Sequence, residues 1–273
     1  MSSADPDPDP DLVAGAEAGA RAAALRSGVA IRPLTELPEL LAAEELFAGI
    51  WGRELGPPMA ANLLRAMVSA GSYVAGAYEG SQLLAAAAGF WGPPDHQALH
   101  SHIAGVAVSA RHRDLGFALK LHQRAAALAH GVPVVTWTFD PLIARNAHFN
   151  LRKLGARAVG YAVNYYGDMA DALNAGDETD RILLRWELGS PSARAACDEG
   201  ASANPTWLAD EDDTTLVPIP RDIETLRQTD PGAARVWRFS LRESMVPRLT
   251  AGAQIIDFDR QANAYVLTRG APA

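Results

Sequence analysis

The chain has 273 residues, with 24 Lys and Arg against 32 Asp and Glu for a net charge of −8. That acidic balance argues against a general nucleic-acid binder. Hydrophobic residues at 48% supply a sizeable core, and the length suits one large domain or two small ones. The single cysteine, Cys197, excludes an internal disulfide framework and a cysteine-rich metal site, and no metal is expected. The longest apolar run, 83–91, is too short to cross a bilayer, so no membrane partner is expected either.

Residues 1–26 read as a disordered acidic and Ala-rich tail. Asp and Pro alternate from Asp5 to Asp11, a pattern that repels itself and has no packing face, and the Ala-rich stretch behind it has weak helical patterning. No basic flank precedes an apolar stretch, so a signal peptide is not expected and a soluble cytoplasmic protein is.

A short strand over 29–33 precedes a helix opened by Thr35 and Glu36, in which Leu37, Leu40, Leu41, Glu44 and Phe47 recur at helical spacing. A second helix over 59–69 turns Leu63, Leu64 and Met67 inward. Strands over 72–78 and 82–91 flank Glu79-Gly80-Ser81, a hairpin signal, and a longer strand follows over 98–108. The helix over 116–130 puts Phe117, Leu121, Ala125 and Leu128 on one side and Lys120, Gln123 and Arg124 on the other. A strand over 133–139 leads into a helix over 143–154, with Asp140 as N-cap, Pro141 at its first position and Gly155 as its left-handed end. Strands over 156–166 and 181–188 close the block. This order predicts an α/β (α+β) fold, a mixed sheet with helices on its faces, over 27–190.

Residues 191–215, rich in Ser, Pro, Ala and acidic groups, read as a linker. Residues 216–273 read as a C-terminal extension: a helix with Ala234, Trp237, Leu241 and Met245 inward and Arg235, Arg238 and Arg242 on another face, read as solvated or, alternatively, as meeting a phosphate or an acidic group, then a hairpin of 255–258 with 265–268. Trp51, Trp91 and Trp137 read as core aromatics.

The most informative stretch is Val106-Ala107-Val108-Ser109-Ala110-Arg111-His112-Arg113-Asp114-Leu115-Gly116-Phe117-Ala118, which runs from a strand through a short basic turn into a helix. A helix N-terminus presents unpaired N–H groups and partial positive charge, so it suits an anion. Gly116 and Ala118 lack bulk, which lets a phosphate approach the backbone, and Arg111 and Arg113 add charge-assisted donors. A diphosphate is the natural guest. The other reading is an ordinary strand–helix connection with solvated arginines.

Arg113, Gly116 and Ala118 at this spacing resemble the acyl-CoA signature of the GNAT superfamily (Gln or Arg, two residues, Gly, one residue, Gly or Ala). Residues 136–156, TWTFDPLIARNAHFNLRKLGA, are similar to that family's fifth strand and fourth helix. With Asn164-Tyr165-Tyr166-Gly167, Asp180-Arg181 and Trp186 they resemble a bacterial branch of predicted acyltransferases, some linked to N-acylation of amino acids, including succinylation. The resemblance implies a mostly antiparallel GNAT-like sheet with helices on both faces, and acetyl-CoA or another acyl-CoA, such as succinyl-CoA, as cosubstrate.

It further implies that Val106, Ala107 and Val108 pair with the pantetheine arm, that Arg111, Arg113, Asp114, Leu115, Gly116, Phe117 and Ala118 hold the diphosphate, and that Asn146 and Phe149 flank the arm. Asn146 and Asn150, four apart, share a helix face, which is equally compatible with solvation. The amine attacks the thioester directly, so Cys197 needs no role. His102 stands where several family members carry a glutamate base, and an ordinary imidazole pKa of about 6.5 suits that task at neutral pH. The alternative is a hydrogen-bonded strand histidine. Leu151 occupies the family's usual tyrosine position and cannot donate a proton, so Tyr166 or Tyr165, or water, is left to supply it; packing at a strand end is the other reading of both tyrosines. The expected activity is N-acylation of a primary amine on a small molecule such as an amino acid, with a homodimer left open. A protein N-acetyltransferase and a non-catalytic acyl-CoA-binding sensor are the alternatives.

Overall fold

The computed structural model describes residues 9–52, 56–93, 96–167, 177–199 and 214–268. The chain divides into two compact units, Met1–Thr136 with Glu187–Gly189 and Trp137–Trp186 with Ser190–Ala273. The division falls inside a strand, so the block expected over 27–190 contributes to both units.

In the first unit, β1 (Ala30–Pro33), β2 (Tyr73–Glu79), β3 (Gln82–Trp91) and β4 (Ala98–Val106) pair antiparallel in that order, and the start of β5 (Val134–Phe139) adds parallel to β4. Strand alternation sends Val74, Ala86 and Ala88 to one face, where α2 (Leu37–Trp51) and α3 (Ala61–Ser69) cover them with Leu40, Ala43, Phe47, Leu64 and Met67. The opposite face takes α4 (Leu115–Ala129), where the Tyr73 hydroxyl lies 2.9 Å from His122 Nδ1. The mixed, mostly antiparallel sheet with helices on both faces is therefore present. The expected opening of α2 is also there: the Glu39 carboxylate accepts from the amides of Thr35 at 2.9 Å and Glu36 at 3.1 Å.

Two expectations fail in this unit for one reason. Residues 10–26 are not a tail: they form α1 (Pro10–Arg26), capped by the Asp9 carboxylate, with Ala16, Ala20, Ala23 and Ala24 buried in its packing with α4. An all-alanine face lacks the large apolar side chains that betray a core helix in a sequence. Small side chains nevertheless let two helices approach closely. With α1 on one side and the sheet on another, α4 is enclosed, and Lys120, Gln123 and Arg124, expected on its outer side, are buried. Arg124 donates twice to the Leu188 carbonyl, at 2.9 and 3.0 Å.

In the second unit the remainder of β5 is followed in the sheet by β7 (Arg181–Glu187) and β6 (Arg157–Ala162), the last two antiparallel. The helix expected over 143–154 is only a short α5 (Ala144–Ala147) continued by a wider π turn, His148–Lys153, in which the Leu154 amide reaches back to the Phe149 carbonyl. Gly155 ends it with φ +67°, and a Cβ there would lie 2.7 Å from the Ser192 carbonyl oxygen. Ile143 occupies the N-cap position of α5, not Asp140.

The expected linker begins as a helix, α6 (Pro191–Glu199), with Ala193 and Cys197 buried; the polar setting expected for Cys197 is thus corrected. Residues 200–213 of that stretch lie outside the described residues. The expected C-terminal hairpin, β9 (Gln254–Asp259) with β10 (Ala264–Thr268), gains a third strand, β8 (Thr214–Pro218), on β10. Asp222 and Asp230 cap α7 (Ile223–Thr229) and α8 (Pro231–Thr250), accepting from the Thr225 and Ala233 amides at 2.9 Å each.

The inward stripe of α8 is Ala234, Arg238, Leu241 and Met245. Arg238 is fully buried, not solvated. Its guanidinium donates to Asp140 at 2.9 and 3.0 Å and to Asp177 at 2.9 Å, and Arg227 of α7 reaches the same carboxylates at 2.6 and 2.9 Å. Two arginines and two aspartates cancel in charge, the condition under which buried ions are tolerated. Burial pushes the Asp140 carboxyl up, but Arg238 and Arg227 prevail and hold it well below the usual range. Arg242 makes a second set of pairs, to Asp180 at 2.6 Å and Glu178 at 2.5 Å.

Candidate active site

Pairing of β4 with β3 sets Phe90 opposite His100 and Ala88 opposite Ile103, with a register shift between Ala88 and Gly89. Strict alternation would send His100 and Ile103 to opposite faces of the sheet. The extra residue on β4 resolves this: both face α2 and α3, and His102 sits at the bulge beside His100. The two imidazole centroids are 6.3 Å apart, and the Phe90 ring lies 5.2 Å from His100 and 5.6 Å from His102. Burial lowers both imidazole pKa values, and for His100 the charges of His102 and Lys120 lower it further. Both rings are therefore neutral at neutral pH and able to accept a proton. His102 remains accessible to solvent, while His100 Nδ1 lies 3.3 Å from Thr136 Oγ1.

β4 stops at Val106, two residues short of the expected end. The Ala107 amide still bonds the Leu84 carbonyl at 2.8 Å, and residues Val108–Ala110 then coil into a 3-10 turn that leaves Val108 exposed. Ala107, Val108 and Ser109 form one wall of a cleft of about 570 Å³, opposite Glu45, Leu46, Gly49 and Ile50 of α2. Beyond it, His112 (φ 68°) and Asp114 (φ 56°) are left-handed while Arg111 and Arg113 are not. Left-handed conformation costs an L-residue about 1–2 kcal/mol. Arg111 itself is extended, with φ −60° and ψ 153°. Helix α4 begins next. The amides of Phe117 and Ala118 both bond the Asp114 carbonyl at 3.0 Å, so the main-chain donors at the mouth of the helix are those before them, at Leu115 and Gly116. A Cβ on Gly116 would meet only Val106 Cγ2, at 3.9 Å. Packing does not require glycine there.

Four expected ligand residues turn their side chains elsewhere. The Arg113 guanidinium is held by Glu79 at 2.6 Å and the Ser27 carbonyl at 3.2 Å, and it lowers the Glu79 carboxyl pKa in return. Leu115, Phe117 and Ala118 point their side chains into the core. The small size of Ala118 is thus a packing requirement, and its amide is already engaged. Arg111 is exposed on the turn.

Asn146, Phe149 and Tyr166 belong to the second unit. Asn146 and Phe149 are partly buried, on α5 and the π turn. Asn150, paired with Asn146 by spacing, is instead buried and accepts from Trp137 Nε1 at 3.2 Å; the Trp137 ring packs edge-on against Trp186. Leu151 is buried. Tyr166 follows β6 in a turn anchored by Thr179, whose carbonyl accepts from the Tyr165 amide and whose Oγ1 accepts from the Tyr166 amide. The Tyr166 hydroxyl lies 3.1 Å from Thr138 Oγ1, and the Arg181 guanidinium stands 5.2 Å from its ring. The groups that sequence reasoning missed are the buried ones, Lys120 with Ser101 and Asp140 with Asp177. Among the described residues no helix is long and apolar enough to cross a membrane.

Neither a family model nor any curated protein matches the chain. Solved structures do. The ribosomal-protein-S18-alanine N-acetyltransferase of Escherichia coli aligns at 16% identity over 59% of this chain and 95% of its own, with a TM-score of 0.49. An N-acetyltransferase of Staphylococcus aureus Mu50 aligns at 14% over 59% and 98%, with a TM-score of 0.49. An aminoglycoside 6'-N-acetyltransferase complexed with coenzyme A aligns at 13% over 59% and 98%, with a TM-score of 0.46.

Proposed function

We propose that the chain is an acyl-CoA-dependent N-acyltransferase that moves an acetyl or succinyl group to a primary amine of a small molecule, such as an amino acid. The observation that carries this reading is the turn between β4 and α4. Two non-glycine residues held left-handed, a helix mouth with donors at Leu115 and Gly116, and a glycine that packing does not need together fit a diphosphate. The GNAT-like spacing of Arg113, Gly116 and Ala118 in the sequence agrees.

The thioester supplies an activated acyl group, and the roles of this chain follow from its own atoms. The amides of Leu115 and Gly116, with exposed Arg111, hold the diphosphate; Arg113 instead braces the turn through Glu79. Val106 and Val108 offer main-chain groups to an extended arm along the cleft beside α2, whereas the Ala107 amide and carbonyl are bonded to Leu84 and Ala110. A main-chain N–H aimed at the thioester oxygen is worth about 3 kcal/mol as that oxygen gains charge. His102 takes the ammonium proton of the acceptor, and its neutral form is favoured by burial.

The test is isothermal titration with acetyl-CoA and succinyl-CoA, followed by thiol release with a panel of amino acids and peptides. Thiol release with free amino acids is expected. Turnover on peptides alone would make it a protein acetyltransferase, and coenzyme binding without turnover on any amine a sensor.

A further inference from the structure

Lys120 is the one charged residue of α4 whose side chain reaches beneath β4. It is buried, and its ammonium donates to Ser101 Oγ at 2.9 Å and to Gln123 Oε1 at 3.1 Å. Ser101 is also buried and immediately precedes the bulge at His102. A β-bulge breaks the ladder locally, so the strand has fewer backbone bonds to hold it in one shape. A hydrogen bond from a rigid helix to the residue beside the bulge supplies what the ladder lacks.

We propose that Lys120 is a positioning residue for the histidine pair of β4: by holding Ser101 from beneath the sheet it fixes the bulge that sets His102 beside His100. The faces are consistent with this. Ser101 points toward α4, and His100, its neighbour in sequence, points the other way, so the ammonium acts across the thickness of one sheet. The groups around His100 are Phe90 of β3, Thr136 of β5, His102 of its own strand and Lys120; of these only Lys120 and His102 can carry charge. Around Lys120, β4 contributes Ser101 and α4 Gln123, while the buried face of α1 is alanine. Burial lowers the Lys120 pKa to about 7. Below that value Lys120 is charged and opposes protonation of His100.

The inference rests on His102 acting as base in the proposed reaction, and its test does not need turnover. Imidazole ring protons of the full chain are followed by NMR from pH 4 to 9 in the wild type, Lys120→Met and Ser101→Ala. Removing the ammonium in Lys120→Met is expected to raise the His100 pKa by about half a unit or more. In Ser101→Ala the charge stays but the brace is lost, and His102 is expected to drift toward the ordinary value of about 6.5. Where acyl transfer is measurable, the acid limb of kcat/KM moves up with His102 in both variants. Histidine titrations that coincide with the wild type in both folded variants overturn the proposal, whether or not the protein turns over. Altered titrations without turnover on any amine leave it standing and count against the acyltransferase reading instead. If Lys120→Met does not fold, Ser101→Ala decides alone.

Discussion

Replacing Gly116 with alanine separates the demands of folding from those of a ligand. The site is the second residue of α4, its φ is not left-handed, and an added Cβ would find its nearest neighbour, Val106 Cγ2, at 3.9 Å, an ordinary contact. Nothing in the fold pushes back. Alanine is favoured over glycine in a helix by roughly 0.5–1 kcal/mol, so Gly116→Ala is expected to leave the protein as stable or slightly more so. At roughly 2–4 °C per kcal/mol for a chain of this size, the melting temperature rises by about 1–4 °C. The same methyl group stands where a phosphate must approach the Leu115 and Gly116 amides. A hydrogen bond to a charged acceptor is worth about 1.5–3 kcal/mol, so losing one weakens coenzyme binding by roughly 10–100-fold. Calorimetric titration with CoA and a thermal melt on the same preparation read both signs. A wild-type dissociation constant in Gly116→Ala would refute the anion site, and a large loss of stability would show that the glycine serves packing after all.

Arg238→Met removes a fully buried cation and leaves Asp140 and Asp177 facing one another with Arg227 alone; urea unfolding should show a loss of about 3–5 kcal/mol. Because the paired arginines depress the Asp140 carboxyl, its contribution is full above the unfolded value of about 3.9 and fades as pH falls below it, so the gap between wild type and Arg238→Met should narrow on acidification from pH 6 to pH 3. If His102 is the base, kcat/KM should fall with decreasing pH only below about 6.5, since burial lowers its pKa, and His102→Ala should abolish that limb while leaving CoA affinity unchanged. Ala23→Leu forces a large side chain into the contact of α1 with α4 and should cost about 1–3 kcal/mol by thermal melt; an unchanged melting temperature would mean α1 contributes no packing.

Much of the strand and helix order of residues 29–188 was legible in the sequence, because period-2 and period-3.6 patterns and turn residues are local. The proposed anion site was half legible. Gly116 marked the mouth of α4, but His112 and Asp114 tolerate the left-handed region without requiring it, so their conformation was not legible. Arg113 looked like a phosphate ligand because nothing local reveals that Glu79, thirty-four positions away, already holds it.

Periodicity and turn residues determined a mixed sheet with helices on its faces, the hairpin of β2 with β3 and the position of the basic turn, while the mostly antiparallel pairing was implied by the family resemblance. Tertiary structure alone decided which polar groups are buried. Lys120 and Arg238 both lie on helices whose charged residues look solvated from sequence. Each is enclosed by an element distant in the chain and finds its partner there: Ser101 for one, Asp140 and Asp177 for the other. Burying a charge is tolerable only when such partners exist, and their identity depends on which strands and helices meet.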